Sequence, residues 1–320
     1  MIRANLQIFC AMFLWATGFP AADVLLESWG PIVLNTVRTA LGVAVLATIW
    51  LYVDGIKKVA QAPWIKGLFV GGLGFGVGSI LLLIGQKVSD PVVPAVAASM
   101  MPIAGAVIEV IFDGRKMTAR LYTGGLFALL GGMLASGANV SQGDFGYGAM
   151  LCLVAVVLFA WGTRATTRSL PTMSTTGKTA LTMLGALSFI FFVYVLASWF
   201  ELGGTRVGDT TPFHWLLMFI FAVVSMAIAQ LLWIFGSSGL GILLASFHMN
   251  AVPFYVMAIV VLIQDKPWNG WQAVGAALVG CGVLIAQSGK RRKQHRKSGE
   301  NLSSAFQYEQ EERSHGYYRI

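Results

Sequence analysis

The chain has 320 residues, of which 56% are hydrophobic and only 11% charged, and its formal net charge is +8. Soluble domains carry roughly a quarter charged residues, so this deficit excludes an ordinary soluble core and points to a lipid bilayer. Nucleic acid is not the expected partner of the positive charge, because the lysines and arginines sit at the ends of apolar runs and in one terminal tail.

Ten apolar segments are long enough, or nearly so, to cross ~30 Å of hydrocarbon as helices. In the first half they cover 5–26, 31–53, 65–86, 91–112 and 121–139. In the second they cover 146–167, 178–200, 212–236, 240–263 and 270–287. The predicted class is therefore an all-α integral membrane protein with ten transmembrane helices. Strands of a porin-like barrel would alternate apolar and polar residues, and these runs do not. The first segment, with Arg3 ahead of Leu6–Ala16, has the outline of a secretory signal peptide. It reads instead as an uncleaved first helix, because the second half opens with an equivalent segment. Cys10, Cys152 and Cys281 all lie inside apolar runs, so neither a disulfide framework nor a metal site is expected.

Two stretches organise the chain, Ala98–Gly131 and Met249–Gly282. Each is an apolar run broken by one proline, then a polar loop, then a second apolar run with spaced glycines. Pro102, Gly124 and Gly131 match Pro253, Gly275 and Gly282, each displaced by 151 positions. Such a repeat predicts two similar halves, 1–142 and 143–287. Beyond Gln287 the composition turns polar, with Lys290, Arg291, Arg292, Lys293, Arg296 and Lys297 close together. Residues 288–320 read as a disordered cytoplasmic tail whose basic cluster touches anionic headgroups.

Orientation follows from the loop cations. With a cytoplasmic N-terminus, Arg3, Lys57, Lys58, Lys66, Arg115, Lys116, Arg120, Arg164, Arg168 and Lys178 lie inside, against Lys87, Arg206 and Lys266 outside. Five helices per half is an odd number, so the second half enters from the opposite face. That is an inverted repeat, the architecture of many secondary transporters, with a site near mid-membrane between the repeats.

Ionisable and polar groups inside the spans are the candidate site residues, since each costs about 2.5–3.5 kcal/mol to insert when charged. Asp23 and Arg38 flank a short loop and are expected to pair, as a gate or as a structural ion pair. Glu109 is read as a proton relay, as a partner for Arg164, or as a carboxylate reaching the interface. His248 and Asn250 precede Pro253, whose ring frees a carbonyl near Met249. They are expected to line the cavity, and His248 offers a group that titrates near neutrality. Gln230 and Trp233 share a helix face, and Trp15 and Trp161 offer indoles to a substrate or to packing. Pro20, Pro102 and Pro253 are expected helix breaks or hinges. No metal or cofactor is expected.

The order of these features resembles the EamA domain of the drug/metabolite transporter superfamily, twice over. The first copy shows Leu14-Trp15-Ala16-Thr17-Gly18-Phe19, then Pro31 and Arg38 in a Pro-x-x-x-x-x-x-Arg pattern, then Ala98-Ser99-Met100-Met101-Pro102. The second shows Phe159-Ala160-Trp161-Gly162, then Leu243-Leu244-Ala245-Ser246 and Pro253. Asp113-Gly114-Arg115 stands where that family usually has Gly-Glu-Arg, and Gln264-Asp265-Lys266 where it often has Gly-Glu-x. The resemblance implies a transporter in a bacterial cytoplasmic membrane. The substrate would be a small metabolite such as an amino acid or amine, moved outward by alternating access, with proton coupling open. The alternative is a channel, or a protein translocating lipid or nucleotide sugar. An enzyme is not expected, since neither Gly-x-Ser-x-Gly nor His-Glu-x-x-His occurs. A homodimer is left open.

Overall fold

The computed structural model describes residues 2–114, 116–135, 146–240 and 248–286. The tail 288–320, the Leu243-Leu244-Ala245-Ser246 stretch and the junction at 142 lie outside the described residues. Among the described residues every regular element is helical. In chain order these are α1 (Ile2–Ser28), α2 (Pro31–Ala60), α3 (Trp64–Lys87), α4 (Val92–Ser99), α5 (Met101–Asp113) and α6 (Ala119–Ala135). They continue as α7 (Tyr147–Ser169), α8 (Thr175–Trp199), α9, α10 (Val252–Ile263) and α11 (Gly270–Ala286). Three segments, Pro212–Phe219, Ile220–Ile228 and Ala229–Leu240, run on as α9.

Among the described residues six helices are long and apolar enough to cross a membrane, and α4 with α5 makes a seventh candidate bent by 45°. α6, α10 and α11 are shorter apolar helices. The chain is thus a multi-pass membrane protein, all-helical over the described residues. Local chemistry sets several starts. Pro31 and Pro212 occupy first-turn positions, where a missing N–H removes no bond. Ser174 accepts from Gly177 N at 3.0 Å to cap α8. Gly55 interrupts α2 with φ +78°, a left-handed value open to glycine, just beyond its apolar stretch.

In α7 mostly small residues face inward and large ones outward. The buried set is Gly148, Cys152, Ala155, Val156, Ala160, Gly162 and Ala165, while Met150, Val154 and Val157 are exposed. Lipid removes the hydrophobic reason to bury large side chains and leaves close backbone packing as the attraction. At the α3–α7 crossing a Cβ on Gly74 would stand 2.6 Å from the Gly162 Cα. Elsewhere α1 lies along α9 and α10, α2 along α8 and α9, and α4 between α7 and α10. Buried polar groups close on one another, as where Asn35 Nδ2 donates to Ser79 Oγ at 2.9 Å.

Three irregularities fall in the 151-residue register. Helix α5 starts after the capping position Met100, and α10 starts after its counterpart Ala251. Gly71–Gly76 in α3 and Ile220–Ile228 in α9 are both wound as π-helix, and the first range shifted by 151 falls inside the second. Gly114 and Asp265, just past α5 and α10, both have positive φ, +63° and +51°.

Candidate functional site

The two broken helices place the first part of the site. The α4–α5 bend is centred on Met100, and Pro102 follows in the first turn of α5. Pro253 occupies the same place in α10. Expecting Pro253 to sit within a helix and free the Met249 carbonyl was incorrect. The proline lies in the first turn, where no intrahelical donor is lost. Pro20 is different, since α1 runs from Ile2 to Ser28 with this proline buried inside it.

Around the breaks, Trp15, Trp233, Met249 and Tyr255 pack against one apolar cluster built from α1, α4, α5, α6, α10 and α11. Trp161 packs on a neighbouring cluster of α4, α5 and α7 residues. Asn250 is partly buried, and its Oδ1 atom is enclosed with no hydrogen-bond partner. Its Cβ faces Gly280 of α11. Ser99, on the other break, is buried with its hydroxyl donating to Val96 O at 2.7 Å. Gln230 is partly buried in α9. The Nε2 of His248 lies 3.4 Å from Asn5 Oδ1. That contact puts it beside the first turn of α1, toward one end of the bundle.

The expected pairings of charges need two corrections. Asp23 does not pair with Arg38. Its carboxylate meets Lys266 Nζ at 2.5 Å, while Arg38 Nε donates to Phe221 O at 3.3 Å and its guanidinium lies 4.3 Å from the Phe221 ring centroid. The two residues point from α1 and α2 toward different neighbours, the α10–α11 connection and α9, which loop length cannot reveal. Arg164 pairs not with Glu109 but with Asp113, through Nε at 2.8 Å and Nη2 at 2.5 Å, with Arg168 joining at 2.9 Å. Asp113 ends α5 one turn beyond Glu109, level with the exposed end of α7.

A second constellation lies at the far end of α1 and α10, and several of its members were not singled out from sequence. Gln264 Nε2 donates to Pro20 O at 3.0 Å, and its Oε1 is enclosed without a partner. Gln86 Nε2 donates to the adjacent Phe19 O at 2.7 Å. Gln272 Nε2 donates to Asp90 Oδ2 at 2.6 Å. The Gln264, Lys266 and Gln272 bonds tie the α10–α11 connection and the start of α11 to α1 and to the start of α4, and the Gln86 bond ties α3 to α1. Beside them is a cavity of about 470 Å³ lined by Asp90, Val260, Lys266, Trp268, Trp271 and Gln272, among others. Burial pushes the Asp90 carboxyl above its ordinary value, against hydrogen bonds from Val92, Val93 and Gln272. The signal available in the sequence was the row of uncharged amides at the ends of apolar runs, which composition does not distinguish from ordinary loop residues.

Long apolar helices, with close glycine-mediated crossings between them and large apolar side chains on the outer surface, define a membrane protein rather than a soluble fold. Comparison with known proteins agrees. Residues 2–137 match the EamA-like transporter family. The uncharacterized transporter YyaM of Bacillus subtilis is 25% identical over 297 residues, covering 89% of this chain and 94% of that protein. The uncharacterized inner membrane transporter YedA of Escherichia coli is 29% identical over 168 residues, about half of each chain at 50% and 53%. A solved crystal structure shares the fold with a TM-score of 0.64 at 18% identity, covering 90% of this chain and 98% of its own. Residues 2–137 thus carry an EamA-like transporter domain, and the chain is a membrane transporter similar to these bacterial proteins.

Proposed function

We propose that this protein is a secondary carrier that exports a small metabolite by alternating access. The observation that carries the reading is the shared break, in which α5 and α10 each begin one residue before a proline at positions 151 apart. On this reading residues 1–142 and 143–287 are inverted five-helix repeats, ten spans in all, with both termini and the 288–320 tail in the cytoplasm. The loop cations support that orientation in a bacterial inner membrane. The substrate sits where the broken helices meet, against Trp15, Trp233 and Asn250, with Trp161 and Gln230 at its edges. Broken helices supply such sites because their unpaired backbone groups are tolerated only beside a cavity. Asn250 Oδ1 is an acceptor in want of a donor, which favours a substrate bearing N–H or O–H groups.

Export requires the periplasmic end to open. The ties from Gln264, Lys266 and Gln272 to α1 and α4 close that end and must part in each cycle. Arg38 and Glu109 then serve as structural charges at the edges of the bundle, and His248 sits near the cytoplasmic mouth.

The test is counterflow in proteoliposomes. Vesicles preloaded with unlabelled candidate amino acids or amines are expected to accumulate labelled substrate transiently, with saturation and competition. Flux that rises linearly with concentration, with no counterflow, would make the protein a channel and overturn the carrier reading.

A further inference from the structure

Asp90 is held more firmly than a helix cap requires. Its Oδ1 accepts from Val92 N at 2.7 Å and Val93 N at 3.1 Å, which caps α4. Its Oδ2 accepts from Gln272, which reaches it from α11 at 2.6 Å. A cap needs an oxygen rather than a charge, and asparagine or serine serves equally well. The negative charge is therefore surplus to the capping role. No cation neutralises it among the described residues. Lys266, the ammonium that lines the same cavity, is bound to Asp23 at 2.5 Å.

The surroundings of that charge suit one chemical class. The cavity of about 470 Å³ falls within the roughly 300–1,000 Å³ typical of small-ligand sites. Trp268 and Trp271 line it and stay accessible, at 58% and 69% exposure. Indole faces attract cations most strongly among the aromatic side chains. A fixed carboxylate beside two indoles repels anions and offers a neutral ligand little beyond apolar contact.

We propose that this cavity binds an organic ammonium ion, with Asp90 as its counter-charge and Trp268 and Trp271 supplying aromatic faces. The site lies away from the broken-helix region and stands on its own geometry, so it holds whether or not counterflow is observed. Gln272 is a positioning residue that fixes the carboxylate toward the cavity.

The test uses the full-length protein purified in detergent micelles, with choline as probe and 3,3-dimethylbutan-1-ol as its neutral isostere. Ionic strength is held constant with sodium chloride. Choline is expected to raise the melting temperature saturably, and the alcohol is not. In Asp90→Asn, which keeps the cap through Oδ1 and keeps a Gln272 bond with the glutamine amide turned to accept from Nδ2, choline binding should weaken about tenfold or more. The double variant Trp268→Leu with Trp271→Leu should also lose choline binding, and it reads out the site if Asp90→Asn folds poorly. Equal shifts from choline and the alcohol would overturn the proposal, as would parental choline affinity in either variant or no choline effect on the parent.

Discussion

Gly124 and Gly282 meet backbone to backbone, and a Cβ built on either one runs into the other's carbonyl oxygen. Gly131 and Gly275 repeat the arrangement along the same two helices, at 2.5 Å in both directions. Since Gly275 is the register mate of Gly124, and Gly282 that of Gly131, each contact maps onto the other when the halves are exchanged. That is how a two-fold axis running between α6 and α11 would arrange them.

This seam has no room for a methyl group. Gly131→Ala and Gly275→Ala should each destabilise the protein by about 1–3 kcal/mol through overpacking. Gly125→Ala, one residue from the seam, should change stability by no more than about 0.5 kcal/mol, because a Cβ there meets nothing within 4 Å. Melting in detergent checks the contrast. If all three variants melt together, the close approach of α6 and α11 is not a source of stability.

The glycine register was legible in the sequence because a close helix crossing leaves only one residue type able to occupy it. The helices themselves were legible for the same kind of reason, since lipid demands long uncharged runs. The π-wound stretches Gly71–Gly76 and Ile220–Ile228 were not, because their side chains differ entirely and only the backbone winding is shared. The partners of Asp23 and Arg164 were also hidden. Both pairings join helices far apart in the chain, and sequence spacing says nothing of which charged end lies nearest in space. Asp90 was hidden in a further way, for it looks like any capping residue until the cavity beside it is seen.

The Lys266–Asp23 pair should matter more to transport than to stability. Lys266 is 45% exposed at its side chain, so breaking the pair should cost about 1 kcal/mol or less. Locking it should stop the cycle. With Cys10, Cys152 and Cys281 first replaced by alanine, Asp23→Cys and Lys266→Cys are oxidised to a cross-link. Counterflow is expected to fall about tenfold or more and to return on reduction, as for other gated closures. Parental counterflow in the cross-linked protein would mean that this end need not open.

Asp90 gives a pH dependence of definite sign. Burial raises its carboxyl above the ordinary value of 3.8 in the folded protein. The folded state then holds this proton more tightly than the unfolded state does. The associated stability is fully present below the ordinary value and is lost as pH rises through the raised one. The melting temperature of the parent minus that of Asp90→Asn should therefore be largest near the acid limit and shrink toward neutral pH. A difference that grows with pH would show the carboxylate to be favoured by its surroundings instead.

At the opposite end, Asp113 serves two arginines unequally. Arg164 meets it with two nitrogens, at 2.8 and 2.5 Å, from a side chain 23% exposed, and it also lies over the Phe112 ring at 5.1 Å. Arg168 offers one nitrogen at 2.9 Å from a side chain 68% exposed. Forked bonding fixes the guanidinium plane and loses less freedom for each bond than a single long reach. Double-mutant cycles with Asp113→Asn, read by melting temperature, should show a clear coupling to Arg164→Gln and a smaller one to Arg168→Gln. Salt separates the two further, since screening acts on the exposed pair first. In about 0.5 M sodium chloride the Arg168 coupling should vanish while part of the Arg164 coupling persists. Equal couplings, or equal loss in salt, would mean that Asp113 acts only as a local counter-charge. In that case it would not clamp α5 to α7.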